Sequence, residues 1–176
     1  GGSANCSIVV SSDPVGSPVI SQATDVIVMN GPSLEKFEPN VEPGGNLFIN
    51  SSLCNIEPKR DDINIFTIPV SDLANEVGNP KVANMIMLGA FLAATELVKL
   101  ESVVKAFTKV YGDSKKKLLP INERALATGI DAVKAAGCVG GVCHIELDKT
   151  NTEVKSDYSR QRQANIELSG TDIGNI

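Results

Sequence analysis

Between residues 82 and 97 only Asn84, Thr95 and Glu96 are strongly polar. A helix that is apolar nearly all round is a buried one, so this stretch predicts a central buried helix over about residues 81–98. Asn79-Pro80 supplies its start, because a proline is accepted in a first helical turn where its missing N–H is not needed. Gly89 falls in the middle of the run. Glycine there costs roughly 1 kcal/mol relative to alanine, which points to close approach of another backbone, and a strand of a covering sheet is the expected neighbour. The rival reading, a membrane span, needs about 20 apolar residues. The run is shorter, and Lys81, Glu96 and Lys99 flank it.

Four short β-rich runs precede this helix, at residues 7–10, 26–29, 46–50 and 63–68. Polar or Pro/Gly-rich turns end them: Ser11-Ser12-Asp13-Pro14 after the first, Asn30-Gly31-Pro32 after the second, Ser51-Ser52 after the third and Pro69 after the fourth. Ile63, Ile65 and Ile68 are the expected buried positions of the last run. Residues 33–37 read as a brief helix, and Pro43-Gly44-Gly45 as a turn. After the central helix, Val103, Val104, Phe107, Val110 and Tyr111 recur at three- and four-residue spacing, the mark of an amphipathic surface helix. Residues 118–136 give one more helix, with Ile121, Ala125, Leu126, Ile130 and Val133 on its apolar side and Gly137 as its stop. Strands followed by helices predict an α/β fold with a mostly parallel sheet and helices packed on it, a Rossmann-like three-layer arrangement.

At 176 residues and 42% hydrophobic content, one sizeable core is expected. The texture changes at Cys138. The division expected is a folded domain over residues 1–137 and a polar C-terminal extension over 138–176, with one short strand at 164–168. The net charge is −5, from 16 Lys+Arg against 21 Asp+Glu. The only basic run is Lys115-Lys116-Lys117, so neither nucleic acid nor an anionic membrane is expected as a partner. No signal peptide opens the chain, and a cytoplasmic protein is expected. Gly1-Gly2 falls inside what reads as a motif, which implies a missing N-terminal segment.

Cys6, Cys54, Cys138 and Cys143 are too few and too scattered for a secreted disulfide scaffold, so free thiols are expected. Cys138, Cys143 and His144 offer three ligands where a tetrahedral metal site needs four, and no closely set cysteines suit an iron–sulfur cluster. No metal site is therefore expected. The chain has no G-x-G-x-x-G, P-loop, H-E-x-x-H or G-x-S-x-G motif and names no catalytic residue. Two clusters of small polar residues adjoin strands: Gly1, Gly2, Ser3, Ala4 and Asn5, and Asn50, Ser51 and Ser52. In open α/β sheets ligands sit beyond the carboxyl ends of strands, where such groups can meet a phosphate or carboxylate. Turn and cap chemistry explains both clusters equally well. Asp13, Asp25, Asp61 and Asp62 read as loop or cap acids, with no base beside them.

The stretches GGSANCSIVVSSDPVGSPVI (1–20), PSLEKFEPNVEPGGNLFINSS (32–52), GNPKVANMIMLGAF (78–91) and PINERALATG (120–129) resemble the gamma subunit of the 2-oxoacid:ferredoxin (acceptor) oxidoreductases, the pyruvate/ketoisovalerate oxidoreductase catalytic domain family. The G-G-S-A-N-C opening looks more like the 2-oxoglutarate or branched-chain enzymes than the pyruvate enzymes. The family's opening strand and its glycine-rich G-x-G-G-Q-G turn are absent, and the segment after about Gly137 does not resemble the family.

The resemblance implies a multi-subunit enzyme that oxidatively decarboxylates a 2-oxoacid with coenzyme A, giving acyl-CoA, carbon dioxide and reduced ferredoxin. It implies alpha and beta companions, and in some forms a ferredoxin-like delta subunit, that carry the thiamine diphosphate and the 4Fe–4S clusters; this chain would carry neither. It also places Gly1, Gly2, Ser3 and Asn5 beside coenzyme A, and the small polar residues at the end of the third strand run add Asn50, Ser51 and Ser52 as further candidate ligand groups. A stand-alone nucleotide- or CoA-binding module is the competing reading. A small zinc or thiol redox protein resting on Cys138, Cys143 and His144 is a third.

Overall fold

The structure is a computed structural model that describes residues 4–16, 20–112, 117–137 and 142–145. A four-stranded, wholly parallel sheet has the order β1 (Ala23–Val28), β2 (Val41–Asn50), β3 (Asn64–Ile68), β4 (Val142–His144). Side chains alternate across it, as the period of two demands. Leu47, Ile49 and Ile65 pack on one face with Val28, Leu34, Val41, Cys54 and Ile63. Phe48, Phe66 and Ile68 pack on the other, beneath the long helices. Ile63, Ile65 and Ile68 are all buried, as their run predicted.

The thin face is covered by α1 (Gly31–Phe37) and the long connection from β2 to β3. Asn30 caps α1, its side chain accepting from Ser33 N at 3.0 Å, with Pro32 in the first turn. The thick face carries α2 (Val70–Val77), α3 (Ala83–Thr95), α4 (Leu100–Tyr111) and α5 (Leu119–Ala135). Phe48 stacks on Phe66 at 4.6 Å between centroids and meets the edge of Phe91 of α3 at 5.4 Å, tying sheet to helix.

The central helix is α3, and it is buried as predicted, with Ile86 and Ala90 at 0% exposure and Met87 at 1%. It is shorter than the expected 81–98. Pro80–Val82 forms a 3₁₀ turn before it, and Glu96 ends it in the left-handed region at φ 52°, donating its N–H to Leu92 O. Gly89 does meet another backbone, but that backbone belongs to α5 and not to a strand. A β-carbon on Gly89 would fall on the Leu126 carbonyl, with its carbon at 2.9 Å, and one on Gly129 would fall on the Ile86 carbonyl, with Ala90 N at 2.8 Å. The two glycines let α3 and α5 cross at backbone contact.

Three further expectations are corrected. Residues 7–10 form no strand. They run as exposed coil, with Ile8 80% and Val10 92% exposed, because β-propensity without a neighbouring strand gives no ladder. Pro43-Gly44-Gly45, expected as a turn ahead of the strand at 46–50, lies inside β2 as a bulge. Ala23 pairs with Val41 and Asp25 with Asn46, so β2 carries extra residues there; Gly44 adopts φ 77° and Gly45 lies against Thr24 O. Cys143, buried in β4, is disulfide-bonded and not a free thiol, whereas Cys6 and Cys54 are free. Pairing is set by sulfur positions in the fold, which a count of scattered cysteines does not reveal. β4 lies beyond the boundary drawn at residue 137 yet joins the domain's sheet. The strand expected at 164–168 and the segment after residue 145 lie outside the described residues. Among the described residues no helix is long and apolar enough to cross a membrane.

Candidate functional site

β1, β2 and β3 all point their carboxyl ends the same way, and there the chain passes through Met29-Asn30, Asn50-Ser51-Ser52 and Pro69-Val70-Ser71. Asn50 closes β2 with 0% exposure. Its Nδ2 donates to Met29 O at 3.3 Å and to Ser71 Oγ at 3.0 Å, so one amide joins the ends of β1 and β2 to the start of α2. Its Oδ1 is buried with no hydrogen-bond partner among the described residues. Ser51 N donates to Ile68 O, while Leu53 N and Cys54 N both reach Asn50 O, which folds the chain back after β2.

Ser52 Oγ donates to Asp72 Oδ2 at 2.8 Å and accepts from Asp72 N at 3.2 Å, so it caps the first turn of α2 from a distant loop. Pro69, at the cap position itself, provides no side-chain hydrogen bond. The side chains of Asn50 and Ser52 are thus engaged inside the fold. Asn5 is exposed, and no hydrogen bond among the described residues joins it to the Asn50 cluster. Gly1, Gly2 and Ser3 lie outside the described residues. The Met29, Ser71 and Asp72 partners carry no mark of their own in the sequence, although Pro69-Val70-Ser71-Asp72 has the composition of a helix start.

A second polar cluster has no motif to announce it. Glu38 is 6% exposed, and its Oε1 accepts from Lys59 N at 2.5 Å and Arg60 N at 2.9 Å. The Arg60 guanidinium grips Asp62 with both arms, Nε to Oδ1 at 2.7 Å and Nη2 to Oδ2 at 2.5 Å, and also donates to the carbonyls of Glu38 and Val41. The hydrogen bond from Arg60 holds the Asp62 carboxyl below its usual range and pushes the guanidinium further up. A cleft of about 240 Å³ opens beside this cluster, lined by Leu34, Glu35, Glu38, Pro39, Ile56, Lys59 and Arg60. Arg60 is committed to loop-to-strand bonds and has little to offer a ligand there. At the opposite ends of the strands Asn46 Nδ2 donates to Asp25 Oδ1 at 2.7 Å and Asn64 Nδ2 to Asn46 Oδ1 at 3.0 Å, a ladder that fixes register. Among the described residues no group of three or more His, Cys, Asp or Glu side chains is set to hold a metal. Cys138 and the His144 side chain are not described.

Residues 1–132 match the family described as pyruvate ferredoxin/flavodoxin oxidoreductase. The chain belongs to that family. This oxidoreductase-family chain is 28% identical over 131 residues to the ketoisovalerate oxidoreductase subunit VorA of Methanothermobacter marburgensis, covering 74% of itself and 27% of the relative. It is 27% identical over 108 residues to the 2-oxoglutarate synthase subunit KorC of Methanocaldococcus jannaschii, covering 60% of itself and 58% of KorC. The chain therefore spans about a quarter of the one relative and under two thirds of the other. Its fold matches that of the 2-oxoglutarate:ferredoxin oxidoreductase of Magnetococcus marinus, solved with 2-oxoglutarate, coenzyme A and succinyl-CoA bound. The TM-score is 0.62 at 18% identity, over 78% of this chain and 24% of that one.

Proposed function

We propose that this oxidoreductase-family chain works as the gamma subunit of a 2-oxoacid:ferredoxin oxidoreductase, which converts a 2-oxoacid and coenzyme A to acyl-CoA, carbon dioxide and reduced ferredoxin in the cytoplasm. The observation that carries the reading is the family match over residues 1–132 together with the likeness to 2-oxoglutarate synthase subunits, which makes 2-oxoglutarate the favoured substrate. In this reading the subunit carries no redox centre. Cysteines at positions 6, 54, 138 and 143 do not have the spacing of cluster ligands, and Cys54 is buried in the thin-face core. Thiamine diphosphate and the 4Fe–4S clusters then belong to alpha, beta and delta-type companions, with ferredoxin as the final electron acceptor.

The contribution proposed for this chain is to border coenzyme A through Gly1, Gly2, Ser3 and Asn5. Small residues leave backbone N–H groups open to a pyrophosphate, and the exposed Asn5 amide stands free to join them. Asn50 holds the carboxyl ends of β1 and β2 to α2 and Ser52 caps α2, and of these three polar residues only Ser51 makes no side-chain hydrogen bond among the described residues. On the reconstituted complex, Asn5→Ala should raise the KM for coenzyme A roughly 2- to 13-fold, the loss of one neutral hydrogen bond. Gly2→Leu should exceed this by steric blockage, and the 2-oxoacid KM should stay put in both. An unaltered coenzyme A constant in both variants would sink this reading of the loop.

A further inference from the structure

We infer that the outer face of α4, with the turn before it, docks a companion protein that presents an apolar centre with an acidic rim. This rests on the reading of the chain as a subunit. None of the described side chains of α4 is buried, whereas α5, next in sequence, buries six residues. Val103, Val104 and Phe107 reach the core yet remain half-exposed. Alongside them Val110 is 75% exposed, Leu97 64% and Val98 46%. Among the described residues this apolar stripe is covered on one side by the core, and a stripe of that kind is what a protein interface leaves when its partner is removed.

The charges state what kind of partner fits. Lys99, Lys105 and Lys109 are all exposed and carry no ion pair among the described residues, and Glu101 is the one acid of α4. In a chain of net charge −5 this face is locally positive, so the complementary surface is acidic. A second copy fits poorly, since a two-fold contact would set lysine against lysine. A membrane fits poorly as well. The apolar residues of α4 are already half engaged with the core, and the chain has no Trp to anchor a helix at an interface.

The test titrates the full chain against the companion chains of the oxidoreductase at about 50 and 300 mM NaCl, comparing wild type with Val110→Asp and with the double variant Lys105→Glu/Lys109→Glu. Both sites are solvent-facing, so melting temperatures should be unchanged. Each variant is expected to weaken binding by about 10-fold or more, the effect of losing one central contact, and the lysine variant should flatten the salt dependence. Wild-type binding that the variants leave intact would overturn the docking face while the subunit reading stands. No binding by wild type would overturn both. Two other results would reassign the face: a wild-type dimer that Val110→Asp splits in light scattering, or binding to phosphatidylserine vesicles that the lysine variant abolishes.

Discussion

Asn50 shows how a sequence can mark one residue as special without making its role legible. Its place at the carboxyl end of a strand, followed by two serines, marks a ligand-type cluster. In the structure its Nδ2 is engaged inside the protein, on Met29 O and Ser71 Oγ, while its Oδ1 has no hydrogen-bond partner among the described residues. The choice between a ligand and an internal partner depends on burial, which a single sequence does not carry. Asn50→Ala removes a donor from two partly buried acceptors and should destabilise the fold by about 1–3 kcal/mol, read as a fall in the urea midpoint at unchanged slope. Ser52→Ala removes a cap from α2 and should lose about 1 kcal/mol. The cysteines give a pH test. Burial raises the Cys54 thiol above its usual value, so the folded state holds this proton more tightly than the unfolded chain does. The stability it contributes is fully present below the unfolded thiol's pKa and is lost as pH rises through the raised one. Stability of the wild type should therefore fall above about pH 9 more steeply than that of Cys54→Ala. At neutral pH a thiol reagent should modify the exposed Cys6 rapidly and Cys54 only slowly.

At the scale of elements, long periodic segments were the most legible. The nearly all-apolar α3, the stripe of α4 and the apolar side of α5 can be read from spacing alone, because a helix writes its environment into its residues every three or four positions. Strand pairing was less legible. Residues 7–10 and 26–29 look alike as β-formers, yet only the second gains a ladder, because pairing depends on which strand lies alongside. Gly89 lies between these cases. The sequence signals close backbone contact, but its partner is 40 residues away at Gly129, and nothing local connects the two. Their crossing makes a sharp prediction. Gly89→Ala and Gly129→Ala would each raise intrinsic helix propensity by roughly 1 kcal/mol, and on an isolated helix they would stabilise. Here each new methyl strikes a carbonyl of the opposing helix, and overpacking of this kind costs about 1–3 kcal/mol or more. Both variants should lower the melting temperature, and the double variant should lose less than the sum, since once the helices have moved apart the second methyl meets less resistance. A neutral or stabilising Gly129→Ala would mean that the helices do not cross at this point. Met87→Asp, with a charge placed at a site 1% exposed, should prevent folding altogether.

For the molecule as a whole, the α/β class and the parallel sheet follow from the order of strands and helices, while the sheet's last member does not. β4 is three residues long and comes after a long helical stretch, so it carries too little periodicity to be seen in the sequence. It nevertheless closes an edge. Phe66 pairs with Cys143, Thr67 Oγ1 donates to Cys143 O at 3.3 Å, and Ile145 N donates to Thr67 O at 3.0 Å. Cys143 at 6% exposure lies in the same core as Phe48 and Phe66. Two truncations distinguish the contribution of this strand from that of the polar C-terminal residues. Deleting residues 150–176, a segment rich in Ser, Thr and Asn, removes little apolar surface, and the thermal transition should move by no more than a degree or two. Stopping the chain at Gly137 also removes β4, strips three ladder partners from β3 and uncovers the side of Phe66. Loss of a buried side chain's worth of apolar contact and of the hydrogen bonds to Thr67 should lower stability by roughly 2–4 kcal/mol and leave an open strand edge prone to association. Equal melting temperatures for the two truncations would show that β3 is itself a stable edge; a cooperative loss on removing 150–176 alone would show that the domain extends well beyond the sheet.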